Sequence, residues 1–377
     1  MTEPGRIGAL TGLRFPAALG VALCHLWYIA DHPALPKLVK ALMREGHLGV
    51  PFFFCLSGFL LAHAYRHRLR RGQIAKYLGA RAARIGPLHV LILALAVLFP
   101  FSPFRPEWWQ IGLQLFLLQI WVPDMETAQG ANPVTWTLAV EAFLYLSLPL
   151  WIAAARRFTA RSPAFWLGFA LALCILQATI VWLFAEPMGE MGLWLFLRMP
   201  PIHLFEFGAG VALAYAYEGL RERGWASAAT SRSRNWGTAC EAGAVGLLVA
   251  VMVYNGKFSP HVRMSGLYTF PVGLIVLTFA LGRGRLSQWF SSRPLVFLGE
   301  ASFAFYLVHG SVFVHLYHAM PDTDPFVMAG MSLVAAMAVA SGLFAFFEKP
   351  VRRWLLKPRS APVPLPQPAG QPVRRAA

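Results

Sequence analysis

Charge is what this chain has least of. Only 13% of its 377 residues are Asp, Glu, Lys or Arg, about half the share of an ordinary soluble domain, while 57% are hydrophobic. Such a chain cannot cover itself with charge, which excludes an ordinary soluble globular protein. Acidic residues are scarcest: 17 against 33 basic ones, for a net charge of +16. The placement of that excess excludes a dedicated nucleic-acid binder, because the basic residues sit in short loops between apolar runs and form no compact basic domain. The four cysteines, Cys24, Cys55, Cys174 and Cys240, match no disulfide or zinc spacing. No metal centre is expected. The first apolar run has no small-residue cleavage site after it and carries Arg14, so it reads as a retained first span. Neither an internal repeat of the inverted-transporter kind nor an appended soluble domain is evident.

What the chain does have is long apolar runs. They cover about 7–30, 46–65, 86–103, 108–121, 136–155, 164–184, 201–217, 238–255, 266–282, 297–318 and 326–348. A bilayer crossing needs about 20 predominantly apolar residues, so the fourteen-residue run at 108–121 is assigned as interfacial or re-entrant. Charge parity agrees. With that run omitted and the N-terminus inside, the inner loops and termini hold 25 Lys/Arg and the outer loops 7, the bias expected of cytoplasmic against external segments. The expected architecture is therefore an all-α, polytopic membrane helix bundle of about ten transmembrane helices plus one short interfacial or re-entrant segment. Both termini face the cytoplasm of a bacterial inner membrane. The bundle occupies residues 1–356, and the tail at 357–377, rich in Pro and small residues, is expected to be disordered.

Against this apolar background the buried polar residues stand out. Arg14 and His25 are eleven residues apart in the first run. Eleven steps of about 100° return to nearly the same azimuth, with a separation of roughly 16 Å along a helix. A charge inside a span costs about 2.5–3.5 kcal/mol on insertion scales, so the pair marks either a snorkelling Arg with a structural His or a functional path. Glu141 and Glu206 reach the outer-half level of His25 in the ten-span arrangement. A carboxylate there either orients and charges the imidazole, as general-base chemistry needs, or bonds to its own neighbours for packing. Arg81 and Arg84 lie three apart on one helical face ahead of Gly86-Pro87, a spacing that suits bidentate phosphate capture as well as a plain topology signal. Ser57 supplies a hydroxyl beside Gly58 in the second span. His309 and Glu348 are further buried polar groups, either a structural pair or part of a donor path.

Taken together and in order, these positions resemble the acyltransferase-3 family of integral membrane acyltransferases. The matching stretches run from Leu10-Thr-Gly-Leu-Arg14 with His25 through Gly49–Phe59, Arg81-Ala-Ala-Arg84-Ile-Gly-Pro87 and Trp136-Thr-Leu-Ala-Val-Glu141 with Tyr145. They continue with Glu206-Phe-Gly-Ala-Gly210, Ser302–His309 and Phe347-Glu-Lys-Pro350. The resemblance implies an enzyme that moves an acyl group, often acetyl, from cytoplasmic acyl-CoA to a hydroxyl of a glycan, lipid or other acceptor, with no metal. It implies His25 and Glu141 as the catalytic pair and Arg14, Arg81 and Arg84 as the donor-binding groups. Ser57, Trp136, Glu206, His309 and Glu348 would line or support the substrate path. Thr11, Thr137 and Phe303 depart from residues common in the family, an acid, a Ser and a Tyr. The competing class is a membrane transporter or flippase whose buried charges bind a glycan or lipid without reacting.

Overall fold

The computed structural model describes residues 7–101, 105–158, 161–226, 230–264 and 266–357. The expected tail from 358 onward lies outside them. All regular structure among the described residues is helical. Ten principal helices follow in chain order: α1 (Gly8–Cys24), α2 (Gly49–Tyr65), α3 (Ile74–Leu98), α4 (Trp136–Ala155), α5 (Pro163–Phe184), α6 (Leu204–Glu222), α7 (Ser231–Tyr254), α8 (Thr269–Leu281), α9 (Arg293–Ala319) and α10 (Pro325–Leu355). The helices containing α2, α3, α4, α5, α7, α9 and α10 are each long and apolar enough to cross a membrane. The chain is a polytopic membrane bundle.

Several lengths differ from the sequence expectation, among them those of α1, α8 and α3. α1 stops at Cys24 rather than Ala30, because the His25 amide bonds back three residues to Ala22 and Leu26 leaves helical geometry at φ −84°, ψ 65°. α8 spans only 13 residues. α3 begins at Ile74, well before the expected start of the span at 86, so the helical face that carries Arg81 and Arg84 is continuous with the span in one 25-residue helix. Pro87 is tolerated inside that helix as a place where it can bend. The short run at 108–121 forms a helix over Trp108–Leu115 and a single turn at Gln119–Trp121. Eight residues rise about 12 Å, too little to cross. Trp108, Trp109 and Phe116 are exposed, as suits an interfacial element.

α6 is the hub. Every residue from Glu206 to Glu218 is buried, which is how a helix that is apolar all round is accommodated. Its closest approach is to α2: a Cβ built on Gly58 would come within 2.1 Å of the Phe207 carbonyl oxygen, and one on Gly210 within 2.0 Å of the Cys55 carbonyl oxygen. Small residues at a crossing let backbones meet in this way. The basic loops gather at the end of the bundle where α2 ends and α3 begins. There Glu218 of α6 accepts from Arg66 at 2.9 Å and Arg221 at 2.9 Å and pairs with His63 Nδ1 at 2.7 Å. Removing a buried partner from such a network costs about 3–5 kcal/mol. Because Arg221 is half exposed, Glu218→Ala is expected to destabilise the bundle by about 3 kcal/mol. Thermal unfolding in detergent checks this, and an unchanged midpoint would show the network to be dispensable.

Candidate active site

The loop before α4 sets the site at the end opposite the basic loops. Asp124 caps the short helix Met125–Gln129, and hydrogen bonds from Thr127 hold its carboxyl below the usual range. Asn132 then donates to the Leu307 carbonyl of α9 at 3.0 Å. This pins the start of α4 to α9 and brings Thr137 against Tyr306, whose hydroxyls lie 3.0 Å apart. Thr137 also donates to the Val134 carbonyl at 2.9 Å.

Inward from that contact lies a small cavity of about 40 Å³, room for ordered water or one small group. Arg14, Thr137, Glu141, Ser302 and Tyr306 supply its polar groups, and Phe53, Phe54, Leu138 and Phe303 its apolar ones. Glu141 is half buried one and a half turns into α4. It accepts from Ser57 at 3.2 Å and from the Tyr145 hydroxyl, which makes Ser57 a holder of the carboxylate. Toward the basic end, Arg84 and Arg14 share the field of Glu141, Tyr145 and Glu348. The Arg81 guanidinium sits 6.0 Å from the Tyr65 ring and 5.9 Å from the Tyr145 ring, the geometry of a cation held against aromatic faces. The Nε atoms of Arg14 and Arg81 and Oε2 of Glu348 are buried without a hydrogen-bond partner. Buried polar atoms are ordinarily satisfied, so these three suit a polar ligand.

Glu348 reaches this cluster through a local change of winding. Phe344–Glu348 forms a π-turn within α10, two residues ahead of Pro350. Proline has no N–H to give the Phe346 carbonyl one turn back, and the helix widens there. π-Turns concentrate at functional sites. The pattern Phe347-Glu-Lys-Pro350 holds the signal for it, although the wider turn itself was not expected.

Two expected neighbours of His25 are elsewhere. Among the described residues no hydrogen bond joins Glu141 to His25; the carboxylate is held by Ser57 and Tyr145 instead. Glu206 belongs to a buried ladder across three helices, bonded to His203 Nδ1 at 2.7 Å and Gln177 Nε2 at 2.9 Å, with Thr269 donating on to Gln177 at 2.8 Å. The i, i+3 spacing of His203 and Glu206 was the available signal for that pairing. Trp136 packs near this ladder, its ring 6.2 Å from His203 and 5.5 Å from the Arg198 guanidinium. His25 is exposed, and Nδ1 of its ring lies 3.0 Å from Nε2 of His309, which is fully buried. The polar axis of the bundle thus runs from Arg81 and Arg84, through Arg14 and Glu141 at the cavity, to Tyr306 and the two histidines.

The sequence model of the acyltransferase-3 family, described as an acyltransferase domain, matches residues 7–345. The chain belongs to this family. It is a membrane acyltransferase, and the transporter alternative falls with that membership. The chain is 29% identical over 393 residues to the acyltransferase MdmB of Streptomyces mycarofaciens, covering 97% of this chain and 96% of that protein. It is 22% identical over 368 residues to the peptidoglycan O-acetyltransferase OatA of Listeria monocytogenes, covering 92% of this chain but 56% of OatA. The O-acetyltransferase OatA of Staphylococcus aureus gives 24% identity over 94% of this chain and 58% of its own length. This acyltransferase chain therefore spans MdmB almost end to end and a little over half of the OatA proteins. No solved structure matches it.

Proposed function

We propose that this acyltransferase transfers a short acyl group, acetyl in the simplest case, from cytoplasmic acyl-CoA to a hydroxyl of a glycan, lipid or other acceptor. The observation that carries the reading is the alignment of three kinds of group along one axis of the bundle. Partly unsatisfied guanidiniums stand at the basic end, a mixed polar and apolar cavity at mid-depth, and an exposed imidazole beyond it. Arg81 and Arg84 hold donor phosphates, for which charge-assisted, forked contacts are the strongest available. Arg14 extends that positive path to the cavity, where Phe53, Phe54 and Phe303 give an acyl chain an apolar wall. Glu141, fixed by Ser57 and Tyr145, balances Arg14 and Arg84 rather than touching His25.

His25 is the general base in this reading. It takes the proton from the acceptor hydroxyl as that oxygen bonds to the thioester carbonyl carbon. The carbon–sulfur bond then breaks, and the protonated imidazole returns its proton to the departing CoA sulfur. An acyl-imidazole route is the less economical alternative, since it needs two transfers on one ring. The direct test is purified protein in detergent or lipid with radiolabelled acetyl-CoA and membrane extract. Label appearing in a hydroxyl ester, with matching release of CoA thiol, is expected. Intact acetyl-CoA after incubation with active preparations would sink the donor assignment.

The orientation belongs to the same proposal. The 25-to-7 division of Lys/Arg puts the Arg66–Arg84 end in the cytoplasm and the Asp124–Asn132 loop outside. Single cysteines at Gly72 and Glu126, both exposed, with the exposed native Cys240 replaced by Ser, test it in whole cells. An impermeant thiol reagent is expected to label Glu126→Cys and spare Gly72→Cys; the reverse pattern would invert the topology.

A further inference from the structure

A general base needs more than an imidazole; it needs the lone pair on the nitrogen that faces the substrate. The two nitrogens of His25 are not equivalent, and the structure contains what distinguishes them. Nδ1 of His309 lies 2.7 Å from the Tyr306 carbonyl and 3.3 Å from the Phe305 carbonyl. Carbonyl oxygens only accept, so in the neutral ring Nδ1 of His309 carries the proton and Nε2 is bare. That bare Nε2 sits 3.0 Å from Nδ1 of His25. The contact is a hydrogen bond only if His25 carries its own proton on Nδ1. The lone pair of His25 is then left on Nε2.

We propose that His309 is the positioning residue of this site: it fixes the tautomer and the ring plane of His25 and so makes Nε2 the basic nitrogen. The inference rests on the reading of His25 as general base. His309 is suited to the role because it cannot move. It is fully buried, its ring is packed by Phe305, Tyr306 and Phe313 at centroid distances of 6.0, 5.9 and 5.6 Å, and both backbone contacts lie on its own helix. His25 in turn is held by its backbone as the cap of α1, so the two rings meet from two independently fixed helices at a centroid distance of 5.1 Å and an interplanar angle of 36°. When Nε2 of His25 takes the acceptor proton, the Nδ1–H bond to His309 becomes charge-assisted and strengthens. A neutral imidazole therefore performs here the orienting function that a carboxylate performs in many acyl-transfer sites.

His309→Phe and His309→Gln test this against a merely structural role. Phe keeps ring volume and removes the acceptor; Gln can offer an amide oxygen near the place of Nε2. The expected result is a fall in kcat of at least about tenfold for Phe, from loss of the correct tautomer. KM for acetyl-CoA should be unchanged, and much of the rate should return with Gln. Wild-type turnover in the Phe variant, or equal losses in both variants, would overturn the proposal. Should either variant fail to fold, solid-state 15N spectra of histidine-labelled wild-type protein in lipid give the answer directly. The His25 signal, identified by its absence in His25→Ala, is expected to show a protonated Nδ1 and a bare Nε2; the opposite tautomer refutes the proposal. The two readings fail separately. Full activity in His25→Ala removes the general base, whereas loss there combined with an indifferent His309→Phe removes only the positioning role.

Discussion

Replacing His25 with alanine is expected to abolish acyl transfer while the protein still folds and binds its donor. The ring is exposed and terminates α1 through its backbone amide, which alanine retains. The hydrogen bond from its ring to His309 contributes about 0.5–1.5 kcal/mol to stability, too little to unfold a bundle of this size. Loss of a positioned general base costs 10²–10⁴-fold in rate, on the order of 3–5 kcal/mol of barrier. Donor affinity should be unaffected, since the guanidiniums proposed to bind phosphates lie toward the other end of the bundle. The decisive measurement is the pair of values together: turnover of acetyl-CoA and its dissociation constant, on the same preparation. Turnover near wild type would remove His25 from the chemistry. Lost turnover with equally lost donor binding would make it a structural residue.

Much of this architecture was legible because a membrane permits few solutions. Lipid leaves no water for unpaired backbone groups, so long apolar runs must be helices. The ten runs duly appear as ten helices, and the 108–121 run is too short to cross. The boundaries were less legible. α1 ends six residues early because its backbone turns at His25 and Leu26, and the unbroken apolar run from 7 to 30 carries no signal for that turn. α3 starts twelve residues before the apolar run because the charged face that carries Arg81 and Arg84 continues into the span, its guanidiniums lying over tyrosine rings and near carboxylates.

The site shows the same division. Single residues were conspicuous because each is costly in an apolar segment: Arg14, Glu141, Arg84 and Glu348 do share one electrostatic cluster. Pairings were not, because depth alone places a residue on a level without giving its azimuth. His25, Glu141 and Glu206 were placed at one level and each has a different partner. His309 was visible as a buried imidazole, but only the rotation of α9 against α1 decides that it faces His25. The Tyr306 hydroxyl, three residues earlier on the same helix face, could have been added to the cavity by the i, i+3 rule.

At the donor end, replacing both Arg81 and Arg84 with glutamine is expected to weaken acyl-CoA binding far more than any effect on acceptor binding. Both residues lie on one face of α3. Arg81 is held between two tyrosine rings with Nε buried and unpaired, and Arg84 stands beside Tyr145, Glu141 and Glu348. Charge-assisted contacts contribute about 1.5–3 kcal/mol each, so losing both should raise the dissociation constant at least about tenfold, and by about 10²–10⁴-fold if both contacts are fully made. The single changes separate two contributions. Arg81→Gln removes a cation with no hydrogen-bonded carboxylate and should act on the donor alone. Arg84→Gln also removes a neighbour of Glu141 and Glu348, so some loss of thermal stability should accompany it. Lysine at position 81 should restore affinity only in part, because it keeps the charge but not the fork. Isothermal titration with acetyl-CoA on detergent-purified protein reads all four variants. An unchanged dissociation constant in a folded double variant would reduce these arginines to topology signals and leave Arg14, with its buried and unpaired Nε, as the donor's cationic contact.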